Sequence, residues 1–213
     1  MAELSDSLTQ LLDGRADQIG QRIGADGSTT RGAMQAAIPA LLAALSADAS
    51  RGTGLRQALE QDHDGAILDQ LSDYLGGSAA LSPRTTNGAG ILEHVLGGRR
   101  GNLEQALSAK SGLSLDSIAQ LLPLLAPILM GMLGKRGRTS GGSGGGISID
   151  DIGDLLNREK ADARTRNPDI GDILDSFGDA DDTPSASRPN AGARSGGGLG
   201  GLLDAILGRK RGG

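Results

Sequence analysis

Apolar residues recur with helical spacing through residues 1 to 134 of the chain. The first such segment ends at Gly14 and follows an i, i+4, i+7, i+8 pattern with Leu4, Leu8, Leu11 and Leu12. Only 1% of the residues are aromatic, whereas strands favour aromatic and β-branched side chains. The pattern predicts an all-α domain of about eight helices, over the segments 3–12, 15–23, 29–45, 55–59, 67–75, 91–96, 103–107 and 113–133.

The most apolar stretch runs from Leu113 to Leu133 and contains Pro123 and Pro127. A membrane-spanning helix, a helix buried in the domain and a helix that displays an apolar face to a partner all fit such a stretch. Spanning a bilayer takes about 20 apolar residues, and the part without polar interruption is shorter. We therefore expect a buried helix that gives part of its surface to an interaction, through Leu121, Leu125, Ile128 and Leu129.

Two segments of the chain match each other when residue i is aligned with residue i+84. A short helix, a turn and a long helix with a proline therefore occur twice. In the first copy, Pro39 predicts a kink or a break in the long helix. The alignment predicts two related helix-turn-helix halves, and its identical pairs are Gln21 and Gln105, Ala25 and Ala109, Pro39 and Pro123, and Leu41 and Leu125.

The composition changes after Gly134, where glycine, serine and charged residues replace the apolar pattern. Low hydrophobicity of this kind does not support a packed core. Residues 1–134 are therefore predicted to form the helical domain, and residues 135–213 a disordered, Gly-rich tail. Three apolar motifs interrupt the tail, at 147–157, 168–177 and 199–207. Helices this short are marginal in water, so we expect them to form only against another surface.

The third motif ends in a basic cluster, Arg209-Lys210-Arg211. Cations at the C-terminus of a helix complement its dipole. An apolar helix with a basic end also suits docking in a protein groove, and at most weak peripheral contact with an anionic membrane. We expect docking through Leu202, Leu203 and Ile206, on the chain's own domain, on another copy or on a different protein.

Charge and cysteine content exclude several kinds of function. The formal net charge is −5, which argues against nucleic acid as a partner held by bulk charge. The chain has no cysteine, which removes disulfides, thiolate catalysis and zinc sites built on cysteine. No secretory signal opens the sequence, so a cytoplasmic location is expected.

One cluster of titratable residues suggests chemistry: Asp62, His63 and Asp64 in one segment and His94 in another. Histidine and carboxylate side chains are ligands of divalent metals. Adjacent residues of a helix point in different directions, however, so Gly65 would have to turn the chain. We favour a structural loop, in which an aspartate caps the following helix and the histidines link two loops. The alternative is metal binding or acid–base catalysis around His63 and His94.

Sequence patterns of enzymes are otherwise missing. Neither a GxxxxGK[ST] phosphate loop nor a GxSxG nucleophile turn occurs. With two histidines and no cysteine, nucleophilic catalysis lacks its usual base or its usual nucleophile. We therefore expect no catalytic activity, no cofactor and no small-molecule substrate.

Several separate motifs occur in an order that resembles a bacterial family known as domain of unknown function 937, related to the YidB-like proteins. They are DHDGAIL at 62–68, NGAGILEHVLG at 87–97, SGL at 111–113 and LPLLAP at 122–127. The resemblance covers roughly residues 1–134. It implies a helical bacterial protein and brings no biochemical activity with it, and the tail lies outside it.

These observations together predict a noncatalytic interaction or assembly protein, whose partner is another protein or a second copy of the chain. Repeated motifs on one tail favour this, because tethering raises effective concentration without strong individual contacts. A DNA-associated helix-turn-helix module is the alternative, although the helix over 29–45 offers only Arg31 and Gln35 to read bases. A metal-dependent enzyme around His63 and His94 is a third hypothesis.

Overall fold

A computed structural model describes residues 3–50, 54–140 and 149–166, and all of its regular elements are helices. The predicted all-α class is therefore confirmed. The described residues form more helices than the expected eight, because the segment from residue 55 to 99 divides into short pieces. In chain order they are α1 (Glu3–Asp13), α2 (Ala16–Ile23), α3 (Gly27–Ser50), α4 (Leu55–Gln61), α5 (Ala66–Asp69), α6 (Leu71–Gly76), α7 (Pro83–Thr86), α8 (Gly88–Leu96), a 3-10 turn (Gly97–Arg99), α9 (Arg100–Ser111), α10 (Leu115–Ser140) and α11 (Ile149–Arg166).

The two long helices, α3 and α10, form the centre of the fold. Helix α3 packs against α1, α2, α8, α9, α10 and α11. Its alanines leave space for close neighbours, and those at positions 33, 36, 37, 40, 43 and 44 are all buried. Because α3 is surrounded, most of its residues are buried and its apolar residues do not form a single stripe.

Both long helices continue through their prolines without a break. Pro39 lies inside α3, and Pro123 and Pro127 lie inside α10, so the break allowed at Pro39 does not occur. Each proline lacks an N–H and leaves the carbonyl four residues earlier without its helical donor. Pro127 does this to Pro123, whose carbonyl lies 3.5 Å from the Tyr74 hydroxyl. Tertiary packing therefore supplies contacts where the helix loses its own.

The two predicted halves correspond to α2 with α3 and to α9 with α10. In each half a glycine with positive φ ends the short helix, Gly24 at 71° and Gly112 at 75°. The short helix of each half packs on its own long helix and on that of the other half. That the two halves are copies of an internal repeat stays a prediction.

The structure differs from the expected boundary at residue 134. Helix α10 continues through Gly134 to Ser140, and residues 149–166 form α11, which packs mainly on α3. The described residues all fall within one compact unit. Part of the segment assigned to the tail is therefore helical, because its apolar residues have a surface to pack against. The motifs at 168–177 and 199–207 lie outside the described residues.

Candidate protein-docking site

The four residues of α10 predicted to meet a partner lie in the core instead. Leu121, Leu125, Ile128 and Leu129 each have 0% of their surface exposed. Helices α2, α3, α8 and α9 are among those that pack on α10. These side chains therefore stabilise the fold and present no surface to a partner in this structure. Leu202, Leu203 and Ile206, the other predicted interaction residues, lie outside the described residues.

Length and composition would also allow two of the described helices to span a membrane, Gly27–Ser50 and Leu115–Thr139. In each case 78% of the apolar window is buried inside the fold. The core role of α3 and α10 accounts for their hydrophobicity.

The loop that holds Asp62, His63 and Asp64 is fixed by hydrogen bonds on both sides. Asp64 Oδ1 accepts from the backbone amide of Ala66, 2.9 Å away, at the start of α5. The Asp62 carbonyl accepts from the Thr85 hydroxyl at 2.8 Å, which ties the loop to α7. Gly134 of α10 lies directly beneath, where a Cβ atom would come within 1.8 Å of the His63 carbonyl. The loop therefore packs closely on α10.

His63 and His94 line one cavity of about 310 Å³, together with Asp62 and the buried Asp48 of α3. His94 Nε2 lies 3.9 Å from Asp48 Oδ2, a pairing that the sequence did not suggest. His63 is only 3% exposed, and its burial lowers its pKa, although Asp62 and Asp64 act in the opposite direction. Within residues 3–50, 54–140 and 149–166, no three His, Asp or Glu side chains are grouped to hold a metal ion.

The strongest docking geometry lies where α11 packs on the domain. Ile152 and Leu156, one helical turn apart, are 2% and 0% exposed and join the hydrophobic core. The surface that receives them is formed by α3 with contributions from α1 and α10. We call this surface the α11 seat. An amphipathic helix in an apolar groove is a common mode of protein recognition.

Polar contacts fix the position of α11 in its seat. The Glu159 carboxylate, on a residue that is 1% exposed, accepts hydrogen bonds from the Leu4 amide at 2.7 Å and the Ser5 amide at 3.3 Å. The Ser5 hydroxyl also donates to it. Amides in the first turn of a helix have no partner within the helix, and the positive end of the helix dipole attracts an anion. Glu159 therefore caps α1 from the other end of the described chain.

A second polar contact lies at the edge of the seat. The Ser46 hydroxyl, near the C-terminal end of α3, donates to Asn157 Oδ1 at 2.8 Å. With Ile152, Leu156 and Glu159, this contact sets both the rotation and the register of α11. The apolar motif predicted at 147–157 ends two residues before Glu159. The spacing of 152, 156 and 159 on one helical face was the signal that could have extended it.

A search among curated proteins and a search among solved structures found no match to the chain. A family model does match, over residues 6–136, and its match ends before α11. The α11 seat thus lies mainly within the matched region, whereas its occupant lies outside. Because the match covers more than half of the 213 residues, the chain belongs to the family described as bacterial protein of unknown function, DUF937.

Proposed function

We propose that this chain is a noncatalytic interaction protein whose helical domain receives short apolar helices in the α11 seat. The observation that carries the proposal is α11 itself, a helix from the tail that fills the seat with Ile152 and Leu156 and fixes it with Glu159. Apolar anchors at i and i+4 are typical of helix-in-groove recognition.

The occupant differs from an ordinary core helix in its composition. Helix α11 has the sequence IDDIGDLLNREKADARTR, in which half of the residues are charged. Six of its charged or polar side chains are exposed, and among the α11 side chains whose burial the structure describes, only those of Ile152, Leu156 and Glu159 are buried. A helix with so narrow a buried face depends on its seat for stability, since most of the stability of helices in proteins comes from the packing of an apolar face. Docking and folding of α11 are therefore one event.

The connection between seat and occupant favours occupation by the chain's own helix. Eight residues, 141 to 148, join α10 to α11. A short connection of this kind gives an effective concentration on the order of millimolar. An external helix therefore enters only if it binds more tightly or if α11 is weakened. The seat is accordingly regulated by its own tail.

A binding assay on the full chain tests the proposal. The protein is the Leu156→Asp variant, in which a charge at a fully buried position should release α11 and open the seat. The probe is a fluorescent peptide of residues 149–166, and the measurement is fluorescence anisotropy. We expect saturable binding to the variant and much weaker binding to the unaltered chain, whose seat is filled.

Two controls make the result specific. A peptide that itself carries Leu156→Asp should not bind, because it lacks the apolar anchor. The Glu159→Ala chain, in which α11 keeps both apolar anchors but is held less tightly, provides a second test if Leu156→Asp lowers the helical content measured by circular dichroism by more than the loss of α11 accounts for. Equal binding of both peptides, or no binding to either variant chain, would show that the domain is not a receptor for this helix.

A further inference from the structure

The tail repeats the docked sequence eighteen residues further along. Residues 151–156 read Asp-Ile-Gly-Asp-Leu-Leu, and residues 169–174 read Asp-Ile-Gly-Asp-Ile-Leu. The two stretches differ only at Leu155 and Ile173. Leu155 is half-buried in the docked helix, so a leucine-to-isoleucine change there alters shape without removing the apolar contact.

The two buried apolar anchors of α11 are retained in the repeat. Ile152 corresponds to Ile170 and Leu156 to Leu174. Asn167 and Pro168 stand in front of the repeat, and both are favoured at the start of helices, at the cap and at the first helical position. The second stretch thus carries the apolar anchors for the α11 seat and its own signal to begin a helix.

The polar contacts distinguish the two stretches. Asp175 stands where α11 has Asn157, and Phe177 stands where α11 has Glu159. The second stretch therefore has no carboxylate to accept from the Leu4 and Ser5 amides. Its binding should be weaker than that of α11 for this reason, so it does not displace α11 from a closed chain.

We propose that residues 168–177 of one copy dock in the α11 seat of a second copy whose own α11 has left that seat, in the register of α11. The seat belongs to a second copy because α11 ends at Arg166, immediately before this stretch. While α11 fills its own seat, the stretch that follows cannot enter the same seat and is offered to another one. This inference rests on the proposed function, since it uses the same seat.

Cysteine cross-linking tests the register, because the chain has no cysteine of its own. One copy carries Ser46→Cys with Leu156→Asp, which opens its seat. The other carries Asp175→Cys, at the position equivalent to Asn157, the partner of Ser46. The copies differ in length by a tag and are mixed under mild oxidation. We expect a disulfide-linked heterodimer on a nonreducing gel.

Two matched experiments separate this inference from the proposed function. Asp172→Cys corresponds to Asp154, which is exposed in α11, and should give at least several-fold less heterodimer. A single chain with Ser46→Cys and Asn157→Cys should form an intrachain disulfide. If that disulfide forms but Asp175→Cys gives no more heterodimer than Asp172→Cys, the proposed docking between copies is wrong, whereas the docking of α11 in its own seat is supported. If the intrachain disulfide also fails, the proposed function is wrong as well.

Discussion

The Glu159 carboxylate accepts a hydrogen bond from the Leu4 amide at 2.7 Å, which joins the last described helix to the first turn of α1. A hydrogen bond to a buried charged group contributes about 1.5–3 kcal/mol. We therefore expect Glu159→Ala to lower the free energy of unfolding by about 2 kcal/mol. Urea denaturation followed by circular dichroism measures this change.

The matched control is Glu93→Ala on α8, whose side chain is exposed. Surface substitutions of this kind usually stay within about 0.5 kcal/mol of zero. A Glu159→Ala chain as stable as Glu93→Ala would mean that α11 does not hold α1 in solution.

Tyr74 gives a second prediction, at the place where Pro127 frees a carbonyl of α10. The Tyr74 hydroxyl donates to the Leu124 carbonyl at 3.3 Å and is buried, and burial raises its pKa to about 12. Tyr74 is the only tyrosine of the chain, and there is no tryptophan, so absorbance near 295 nm reports its ionisation alone. The folded chain should titrate near pH 12 and the urea-unfolded chain near pH 10.

Stability follows from the same shift. A raised pKa means that the folded chain keeps its proton longer than the unfolded chain, so stability is lost as the pH rises from 10 towards 12. In Tyr74→Phe this part of the loss should disappear. Titration of the folded chain near pH 10 would show that the hydroxyl is exposed to water.

Gly88 gives a third prediction, since α8 lies close to α10 at this residue. A Cβ atom at Gly88 would lie 1.8 Å from the Pro123 carbonyl oxygen, so Gly88→Ala must push the helices apart. We expect a loss of about 3 kcal/mol in the free energy of unfolding, as for other overpacked positions. Gly101→Ala on α9 is the control, because nothing lies within 4 Å of its added Cβ, and it should be neutral or gain up to about 1 kcal/mol. Equal thermal midpoints for the two variants would contradict the close approach.

Much of the fold could be predicted because the local periodicity of apolar residues indicates where its helices lie. The leucines of α1 and the apolar residues of α2 predict both helices, and the structure confirms that the second one ends at residue 23. Gly134 shows where local signals fail. Its surroundings in sequence suggest the end of a helix, whereas in the fold it leaves room within α10 for the His63 loop. A close approach between segments 71 residues apart leaves no local pattern.

The candidate site was less accessible to prediction for a related reason. Apolar residues mark both the core and an interface, so Leu121 and Leu125 appeared suited to a partner although the fold covers them. Ser46 and Glu159 were missed because each gains its role from a partner distant in sequence, Asn157 and Leu4 respectively. The apolar motif at 147–157 could be recognised in the sequence, whereas the α11 seat that receives it could be found only in the structure.

The last prediction concerns His63, whose Nδ1 has no hydrogen-bond partner in the part of the chain that the structure describes. Burial lowers its pKa below the ordinary 6.5. As the pH falls below 6.5, the unfolded chain therefore binds a proton at His63 more readily than the folded chain does. Stability should therefore fall as the pH drops from 7.5 to 5.5, and His63→Gln should reduce that fall. His94→Gln is the control, because the His94 side chain is 61% exposed and should leave the fall largely intact. Urea midpoints at three pH values decide the matter, and an unchanged fall in His63→Gln would assign the pH dependence to the carboxylates instead.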